Sequence, residues 1–476
     1  MSGLPKGWQF SLLGEIGSVQ SGVGFPNEYQ GSTSGTYPVY KVGDVSRGVT
    51  QNNGKLQLAN NYVSSEIAEL LKGHVFESGS TLFAKIGEAL KLNRRGFVIT
   101  PGLADNNVMG YKSAPGINDH FIYYFLLTQD FAEYSRSTTV PSIRKGDIEG
   151  IRIALPPLAE QTRIAQKLDE LLAQVDTLKA RIDAIPALLK RFRQSVLAAA
   201  VSGRLTEEWR AQNCPTPPTA RSPNKYSLST EELKKFADLH SRPQGWECAS
   251  AAEVCSSVRD GTHDTPAYHL SGIPLVTSKN IGSGFVDTKE AKLISIEDHL
   301  EISKRSLVEH GDVLFSMIGT VGNCCVVREQ DSEFSIKNVG LFKKNESVIL
   351  PRFLEFWLNS QVMWSWLDKN LKGSSQKFAS LGTLRALPVF LPSLQEQTEI
   401  VRRVEQLFAF ADQLEAKVAS AKSRIDHLTQ SILAKAFRGD LVPQDPNDEP
   451  ASVLLERIKT QRAAAPKARR GRKASA

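Results

Sequence analysis

The chain has 476 residues, of which 41% are apolar and 23% are charged, so one to four domains with hydrophobic cores are expected. There is no run of 18 apolar residues and no charged-then-apolar leader, so we expect neither a membrane span nor a signal peptide, and a cytoplasmic protein. The net charge is +7, but the eight basic residues after Glu456 supply that excess, so any nucleic-acid-binding face must be a local patch.

Residues 1–155 are predicted to form a mixed α/β domain. Apolar and aromatic residues at helical spacing predict a helix over His120–Thr128, and the polar segment Ser135–Arg144 is expected to be a loop. Short apolar runs between Gly and Asn residues predict strands over Tyr37–Val42, Thr81–Ile86, Gly96–Thr100 and Ile151–Leu155.

A heptad pattern begins soon after this domain. From Ile164 to Val196, apolar residues recur at alternating spacings of four and three, which is typical of a coiled-coil seam. The same pattern recurs in the second half of the chain, from Ile400 to Ile432, with every position at one constant offset. One such helix cannot bury its stripe alone, so the two are predicted to pack antiparallel. The predicted seam includes Ile164, Leu168, Leu171, Val175, Leu178, Ile182, Val404, Leu407, Leu414, Val418, Ile425 and Leu428.

The ends of both long helices carry recognisable signals. Ser393 and Glu396 predict a capping box at the start of the second helix. The first helix has a proline at the serine position, so only Glu160 of that device survives. Both helices are predicted to end at a glycine in the left-handed conformation, Gly203 and Gly439.

Pro186 lies inside the first seam, where the second copy has Lys422. A proline inside a helix removes one backbone hydrogen bond and clashes with the preceding turn. We therefore expect a kink, or a break into two helices, near Ile185.

The two halves of the chain match beyond the helices. Gly79–Gly87 matches Gly311–Gly319, and Asn107 matches Asn338. The repeated aromatic residues are predicted core anchors: Trp8, Trp246, Phe83 and Phe315. The resulting domain plan is a first domain at 1–155, a central helical region at 156–205, a linker at 206–242, a second domain at 243–391, a distal helical region at 392–440 and a basic tail at 441–476.

Several catalytic signatures are absent from the sequence. There is no phosphate-binding G-x-x-x-x-G-K-[ST] loop, no G-x-S-x-G elbow and no H-E-x-x-H helix. The five cysteines form no C-x-x-C pair, and no His lies at zinc-ligand spacing, so reduced thiols and no metal site are expected. We therefore expect a chain that is not itself an enzyme.

Polar residues near strand ends and in loops are the candidate nucleic-acid contacts, and the alternative is that they are solvated loop residues or, for Asn107 and Asn338, structural turn residues. Arg and Lys suit guanine edges or phosphates, and Asn and Gln suit adenine. The candidates are Lys85, Arg94, Arg95, Asn106, Asn107, Ser142, Arg144, His263, Lys279, Asn280, Lys337, Asn338, Ser375, Gln376 and Lys377.

Two divergent halves, each followed by a P-x-L-x-E-Q helix start, resemble the specificity subunit of type I restriction-modification systems. The second helix, in the stretches Ile400–Phe408 and Ser431–Gly439, is similar to the enteric, type IA-like members. In the globular parts the resemblance is architectural only.

This resemblance implies a mixed α+β fold of two target recognition domains joined by two long antiparallel helices with pseudo-two-fold symmetry. Each domain would read one half of a bipartite double-stranded DNA site. The helices would set the spacer and dock two methylation subunits, which carry S-adenosylmethionine and modify adenine N6. Restriction subunits, which carry ATP and Mg²⁺, would join them.

A second hypothesis is a coiled-coil adaptor whose globular domains bind protein, which the repeat architecture and the near-neutral body also allow. A third is the specificity arm of a fused single-chain restriction enzyme. The absence of an attached catalytic domain argues against that third hypothesis.

Overall fold

The structure is a computed structural model that describes residues 3–135, 140–213, 216, 225–282, 284–328, 330, 333–373 and 376–464. It has the mixed α and β architecture with two long helices that the sequence predicts. None of the helices in these ranges is both long and apolar enough to cross a membrane.

The first globular part combines short strands with short helices. Its strands are β1 (Gln9–Leu12), β2 (Gly17–Ser21), β3 (Tyr37–Tyr40), β4 (Lys55–Leu56), β5 (Tyr62–Val63), β6 (Thr81–Ala84), β7 (Arg95–Val98), β8 (Leu103–Ala104), β9 (Val108–Ser113) and β10 (Arg152–Leu155). Its helices are α1 (Leu13–Ile16), α2 (Val42–Gln51), α3 (Ser65–Leu70), α4 (Glu88–Lys91), α5 (Asp119–Leu127) and α6 (Lys145–Glu149).

The long helix α7 (Leu158–Val201) precedes the second globular part, which repeats the mixed composition. Its strands are β11 (Glu247–Ser250), β12 (Ser257–Asp260), β13 (Ile273–Val276), β14 (Ile281–Gly282), β15 (Phe285–Val286), β16 (Lys292–Ile294), β17 (Val313–Ser316), β18 (Cys324–Val326), β19 (Ser335–Ile336), β20 (Val339–Lys343) and β21 (Pro388–Leu391). Its helices are α8 (Glu207–Asn213), α9 (Thr230–Leu239), α10 (Ala251–Val254), α11 (Ile296–Ser306), α12 (Pro351–Leu358), α13 (Gln361–Asn370) and α14 (Leu381–Ala386). The second long helix α15 (Leu394–Arg438) and the short helix α16 (Ala451–Ala464) follow.

The chain divides into two compact units. The first unit is Met1–Ile182 with Ser420–Ala476, and the second unit is Asp183–Ala419. Each unit therefore contains one globular part together with half of α7 and half of α15. The segment after α15 belongs to the first unit, where Leu454 and Ile458 of α16 enter the core.

The same sheet plan occurs in each unit. The larger sheet has the order β2-β9-β6-β7-β4 in the first unit and β12-β20-β17-β18 in the second. A smaller sheet has the order β5-β3-β8 in one and β16-β13-β19 in the other, with a parallel pair (β3 with β8, β13 with β19) in both. A two-stranded sheet joins the start of each globular part to its end, as β1-β10 and β11-β21. The internal repeat thus extends to strand pairing, although much of the sequence between the helices has diverged.

All four strands predicted in the first domain extend past the observed strands by one or two residues, and for one of them the reason is local. The strand predicted over Tyr37–Val42 ends at Tyr40, and helix α2 starts at Val42. The carboxylate of Asp44 accepts a hydrogen bond from the Lys41 backbone N–H at 2.9 Å and so caps the first turn of α2.

The long helices pack antiparallel within each unit. In the first unit the start of α7 (Ile164, Leu168) shares a core with the end of α15 (Ile432, Ala436). In the second unit the end of α7 shares a core with the start of α15. The predicted seam residues are buried or half-buried, except Leu178 and Leu428, which are 45% and 44% exposed.

Pro186 does not break the first helix, because α7 continues from Leu158 to Val201 with the proline inside it. Its ring is exposed, so it does not enter the seam. The missing N–H leaves one carbonyl group a turn earlier without its helical donor. Of the two expected outcomes near Ile185, the break into two helices is therefore wrong, and the kink stays a prediction.

Each long helix is anchored to its globular part by a buried tryptophan. Trp8 donates its indole N–H to Glu160 Oε2 at 3.0 Å, and Trp246 donates to Glu396 Oε2 at 3.0 Å. The predicted capping box is therefore only half formed. The Ser393 hydroxyl does accept from the Glu396 N–H at 3.1 Å, but the carboxylate of Glu396 binds the indole instead of the serine backbone. Gly203 and Gly439 have φ of 68° and 82°, as predicted for left-handed caps.

Candidate nucleic-acid interface

In the second unit, a tight turn follows β13 and presents polar side chains. Ser278–Asn280 form one turn of 3-10 helix. The Asn280 side-chain oxygen accepts from the Thr277 backbone N–H at 3.0 Å and from its hydroxyl at 2.9 Å, which fixes the turn. Asn280 is buried and holds the loop, whereas Lys279 projects as an exposed residue.

A close backbone crossing brings a second loop to the same place. Gly261 follows β12 and lies against the end of β19, where a Cβ atom would be 2.1 Å from the Ile336 carbonyl oxygen. Only glycine fits at that distance. The Thr262 N–H donates to Ile336 O at 3.0 Å, and the Asn338 N–H donates to Thr262 O at 3.1 Å. The crossing therefore places His263 beside Asn338.

These loops surround a cavity of about 860 Å³. Lys279, Lys292 and Lys337 line it with one acidic residue, Glu290, so its lining carries net positive charge. Positive charge beside hydrogen-bonding side chains suits a nucleic-acid backbone and base edges. The other polar lining residues are Tyr268, Thr277, Ser278, Asn280, Thr320, Asn323, Asn338 and Gln376.

Ser278 has a buried hydroxyl oxygen that meets no hydrogen-bonding partner among the described residues. A buried polar group without a partner costs free energy unless a ligand or water satisfies it. The Lys337 ammonium group donates to the Thr265 hydroxyl and is thereby held at the rim.

His263 is fixed by two neighbours. Its Nε2 lies 3.1 Å from Oδ2 of Asp260, and its Nδ1 lies 2.9 Å from Oδ1 of Asn338. Asp260 is buried and also accepts from the Arg305 guanidinium group.

The remaining candidates of the second unit are Gln376 and its two neighbours in the sequence. Gln376 lines the cavity. Lys377 forms an exposed ion pair with Asp368 at 2.8 Å, so its charge is partly neutralised. Ser375 lies outside the described residues.

In the first unit, three candidates meet where β6 ends. The Lys85 N–H donates to Asn107 O at 2.9 Å, and Lys85 O accepts from the Ile143 N–H at 3.0 Å. Ile86 forms a β-bridge with Ser142. Three sequence-distant loops thus converge there, with Asn106 and Asn107 exposed.

One predicted contact is wrong. Arg95 is buried in β7, where its Nη2 donates to Asn93 Oδ1 at 2.5 Å and to Gln129 O at 2.9 Å. Its guanidinium group stacks 3.6 Å from the Phe131 ring centroid. Burial lowers the pKa of Arg95 to about 9. The side chain is therefore part of the core, while Arg94 is half-buried and Arg144 is exposed.

Sequence reasoning missed the residues that support these loops. Asp260 acts on His263 from the end of β12, and Arg305 acts through Asp260 from helix α11, so only the fold brings the three together. In the first unit, Asp105 lies beside the two asparagines. Its pKa is raised by burial, against the hydrogen bond that the Asn107 N–H donates to it. The sequence signal for these loops was a glycine at the matching position in each half, Gly22 and Gly261. Both stand where two backbone segments cross closely, and a Cβ at Gly22 would lie 2.0 Å from Asp105 O.

No group of three or more His, Cys, Asp or Glu side chains in the described ranges is arranged to hold a metal ion. Cys248, Cys255, Cys324 and Cys325 form no disulfide bond among the described residues, and burial raises the pKa of Cys248 to about 12.

The chain matches the family model of the type I restriction modification DNA specificity domain twice, over residues 5–187 and 243–421. It is 34% identical to the EcoBI specificity subunit of Escherichia coli, over 96% of this chain and 93% of that one. It is 32% identical to the Escherichia coli EcoDI specificity subunit, over 99% of each chain.

Solved structures show the same fold. The HsdS subunit from Thermoanaerobacter tengcongensis superimposes with a TM-score of 0.55 at 20% identity, over 92% of this chain and 99% of that one. A chain from a study of assembly and conformational transition in the type I R-M system gives a TM-score of 0.60 at 18% identity, over 93% of this chain and all of that one. The two matches to the family model and the identity to these relatives show that the chain belongs to the type I restriction-modification DNA specificity subunit family.

Proposed function

We propose that this chain is a non-catalytic DNA-reading subunit, in which each unit reads one half of a bipartite double-stranded site. The observation that carries the proposal is the cavity of the second unit. Lys279, Lys337, Asn338 and Gln376 come from three separate stretches of sequence and line one positively charged surface. Lysines supply contacts to phosphates and amides supply contacts to base edges.

The two long helices are proposed to set the spacer between the half-sites and to dock two methylation subunits. Each helix has 44 or 45 residues, which corresponds to about 66 Å at about 1.5 Å per residue. That length exceeds one DNA turn of roughly 34 Å, so two readers on such a frame leave a run of bases unread.

The proposal includes its partners and their cofactors. The methylation subunits are proposed to supply S-adenosylmethionine and the adenine-modifying chemistry, and restriction subunits to supply ATP- and Mg²⁺-dependent cleavage. The complex is proposed to work in the cytoplasm.

The first test is binding. The full chain, co-expressed with the methylation subunits of its own system, is incubated with a library of randomised duplexes, and the bound fraction is sequenced. Two short motifs at a fixed separation are expected. Absence of any base preference would contradict the proposal and would favour the adaptor hypothesis.

Exchanging residues 1–155 for the first domain of another family member is expected to change one half-site only. The reason is that the loops of the first unit that converge on Lys85 come from this segment. Methylated adenines mapped across a host genome would report both halves. Reciprocal exchange of residues 243–391 is the matched control and should alter only the other half. Simultaneous change of both halves would show that the units do not read independently.

Removing residues 176–182 of α7 together with residues 423–429 of α15 is expected to shorten the tolerated spacer by about three base pairs. Each deletion removes one heptad, or about 10 Å of helix, while DNA rises about 3.4 Å per base pair. The exposed ion pair between Lys179 and Asp426 is removed as a pair, so neither charge is left without its partner. Deleting only residues 176–182 is the control, because it puts the facing seams out of register and should abolish activity. If the double deletion left the tolerated spacer unchanged, the long helices would not set the spacer length.

A further inference from the structure

The repeat places an acidic residue of the first unit where a lysine lines the cavity of the second unit. Asp105 and Lys337 each follow the short strand of a parallel pair, β8 or β19. Their backbone N–H groups donate to equivalent carbonyl groups, Tyr40 O at 3.1 Å and Val276 O at 2.9 Å. Each also forms a parallel β-bridge with the residue after the glycine of the close crossing. The two side chains therefore start from the same place in the fold, and their charges are opposite.

The carboxylate of Asp105 is fixed through one oxygen and free at the other. Its Oδ1 accepts a hydrogen bond from the Asn107 backbone N–H at 3.0 Å, which sets the direction of the side chain. Its Oδ2 meets no hydrogen-bond donor among the described residues, and Asp105 is half-buried beside the exposed Asn106 and Asn107. An ionised carboxylate can only accept hydrogen bonds, whichever way it is turned. Oδ2 thus offers an acceptor at the convergence of the loops.

Positive charges around Asp105 let a polyanion approach it. Burial raises the pKa of Asp105, and the ammonium groups of Lys41 and Lys85 act against that shift. The carboxylate of Asp44 also acts on Asp105, but it forms an ion pair with Arg47 at 3.1 Å. Two lysines therefore outweigh the single charge of Asp105, which offsets its repulsion of DNA phosphates. A carboxylate partly removed from water also forms stronger hydrogen bonds than an exposed one.

We infer that Asp105 reads a cytosine in the half-site of the first unit, with its free oxygen accepting the exocyclic amino group of that base in the major groove. This inference rests on the proposed DNA-reading function. Cytosine presents only its N4 amino donor in the major groove, whereas adenine places the N7 acceptor beside its amino group. Guanine and thymine present O6 and O4 acceptors, which a carboxylate repels. Asp105 selects cytosine by attraction and rejects guanine and thymine by repulsion.

The same place in the second unit has the opposite chemistry. The ammonium group of Lys337 has donors only, which suit guanine O6 and N7 or a phosphate. The backbone around both positions has matching hydrogen bonds. One position of the shared fold thus offers an acceptor in one unit and a donor in the other, so a single side chain there alters the base that is read without altering the loops.

Asp105→Asn tests the inference with little change in shape. The amide oxygen can still accept from the Asn107 N–H, so the NH₂ group takes the place of Oδ2. In the randomised-duplex selection with methylation subunits, wild type should select cytosine at one position of one half-site. The variant should lose that selection and bind duplexes with guanine or thymine there roughly tenfold more tightly than wild type does. The other half-site should keep its preference.

A modified base tests the contact itself. N4-methylcytosine keeps its pairing with guanine but carries a methyl group in place of the amino hydrogen that faces the major groove. It is placed at the position that Asp105→Asn alters. Wild type should bind this duplex roughly tenfold more weakly than the duplex with cytosine, because the carboxylate loses its donor. Asp105→Asn should distinguish the two duplexes little.

Asp44→Asn is the matched control, because it removes a neighbouring negative charge by the same chemical change. Asp44 accepts from the Lys41 N–H at 2.9 Å, and Asn280 accepts from the Thr277 N–H at 3.0 Å at the equivalent place in the second unit. The fold therefore accommodates an asparagine there. The cytosine preference of Asp44→Asn should equal that of wild type.

Circular dichroism verifies that each variant is folded. If Asp105 only holds its turn, Asp105→Asn should keep the cytosine preference or weaken binding to all duplexes alike, and either result would overturn the inference. Equal binding of cytosine and N4-methylcytosine duplexes by wild type would also overturn it, as would loss of the same preference in Asp44→Asn. A wild-type complex without any base preference would instead overturn the proposed function, and the inference with it.

Discussion

Replacing Glu396 by alanine is expected to unfold the second unit, whereas replacing Glu160 by glutamine should be nearly neutral. Glu396 is 1% exposed and accepts from Trp246 Nε1 at 3.0 Å, Thr206 Oγ1 at 2.7 Å and Arg210 Nη1 at 2.5 Å. Without the carboxylate, three donors lose their acceptor, and the largely buried guanidinium group of Arg210 loses its ion pair and keeps only its hydrogen bond to Gly203 O. The expected loss is about 3–5 kcal/mol.

The equivalent carboxylate of the first unit has a different environment. Oε2 of Glu160 accepts from Trp8, but Oε1 is buried and no described residue donates to it. The repeat aligns Thr206 with Val442, which has no side-chain donor. The first unit thus keeps the tryptophan bond and lacks the rest of the network.

Burial raises the pKa of Glu160, against the hydrogen bond from Trp8. Because the folded-state pKa lies above the unfolded value, the stabilisation from the protonated form is full below the ordinary value of 4.5 and is lost as the pH rises through the folded value. Glutamine keeps a carbonyl acceptor for Trp8 without the buried charge. We expect a change within about 1 kcal/mol and a weaker pH dependence.

Hydrogen exchange resolved along the chain checks this pair of variants, because it reports the opening of each unit separately. Glu396→Ala should raise exchange in β11, β21 and the start of α15, and leave β1 and β10 unchanged. Glu160→Gln should change neither set by much. Equal destabilisation by both variants would mean that the Thr206 and Arg210 hydrogen bonds contribute nothing.

Leu168→Asp is expected to prevent folding of the first unit, while Leu178→Asp is tolerated. Both leucines occupy seam positions on α7, but Leu168 is fully buried in a core that includes Phe121 and Ile432, and Leu178 is 45% exposed. A carboxylate at position 168 loses the packing of a buried leucine and gains a buried charge without a partner. Together these cost more than about 4 kcal/mol.

Soluble yield and helicity by circular dichroism, measured for the full chain, distinguish the two variants. Leu168→Asp should be recovered mainly as aggregate, and Leu178→Asp should match wild type within about 1 kcal/mol. Both changes are chemically identical, so the contrast isolates burial. A soluble and helical Leu168→Asp variant would show that this part of the seam does not hold the unit together.

The exposed leucines show where a heptad pattern stops being informative. Leu178 and Leu428 satisfy the spacing as well as Leu168 does, but the facing residues do not cover them. Spacing places a side chain on one face of a helix, whereas burial depends on what packs against that face. In the same way, Pro186 was visible in the sequence, but its consequence depended on the ring facing solvent, which allows α7 to continue.

Single polar residues were the hardest to interpret from the sequence. Arg95 and Lys279 are both basic residues near strand ends, as expected of DNA contacts. Arg95 stacks on Phe131 in the core, whereas Lys279 lines the cavity. Nothing local distinguishes them, because burial of an arginine depends on distant partners such as Gln129.

The sequence by itself determined the repeat, the two long helices with their glycine ends, the buried tryptophans and the family, since these depend on periodicity and local signals. Only the tertiary structure decided that Glu160 and Glu396 bind tryptophans, and that β12, β13 and β19 bring their loops around one cavity. The link from Asp260 through His263 to Asn338 joins the end of β12 to the loop after β19, two stretches far apart in the chain. Such contacts arise from strand order and close crossings like that at Gly261, which no local pattern encodes.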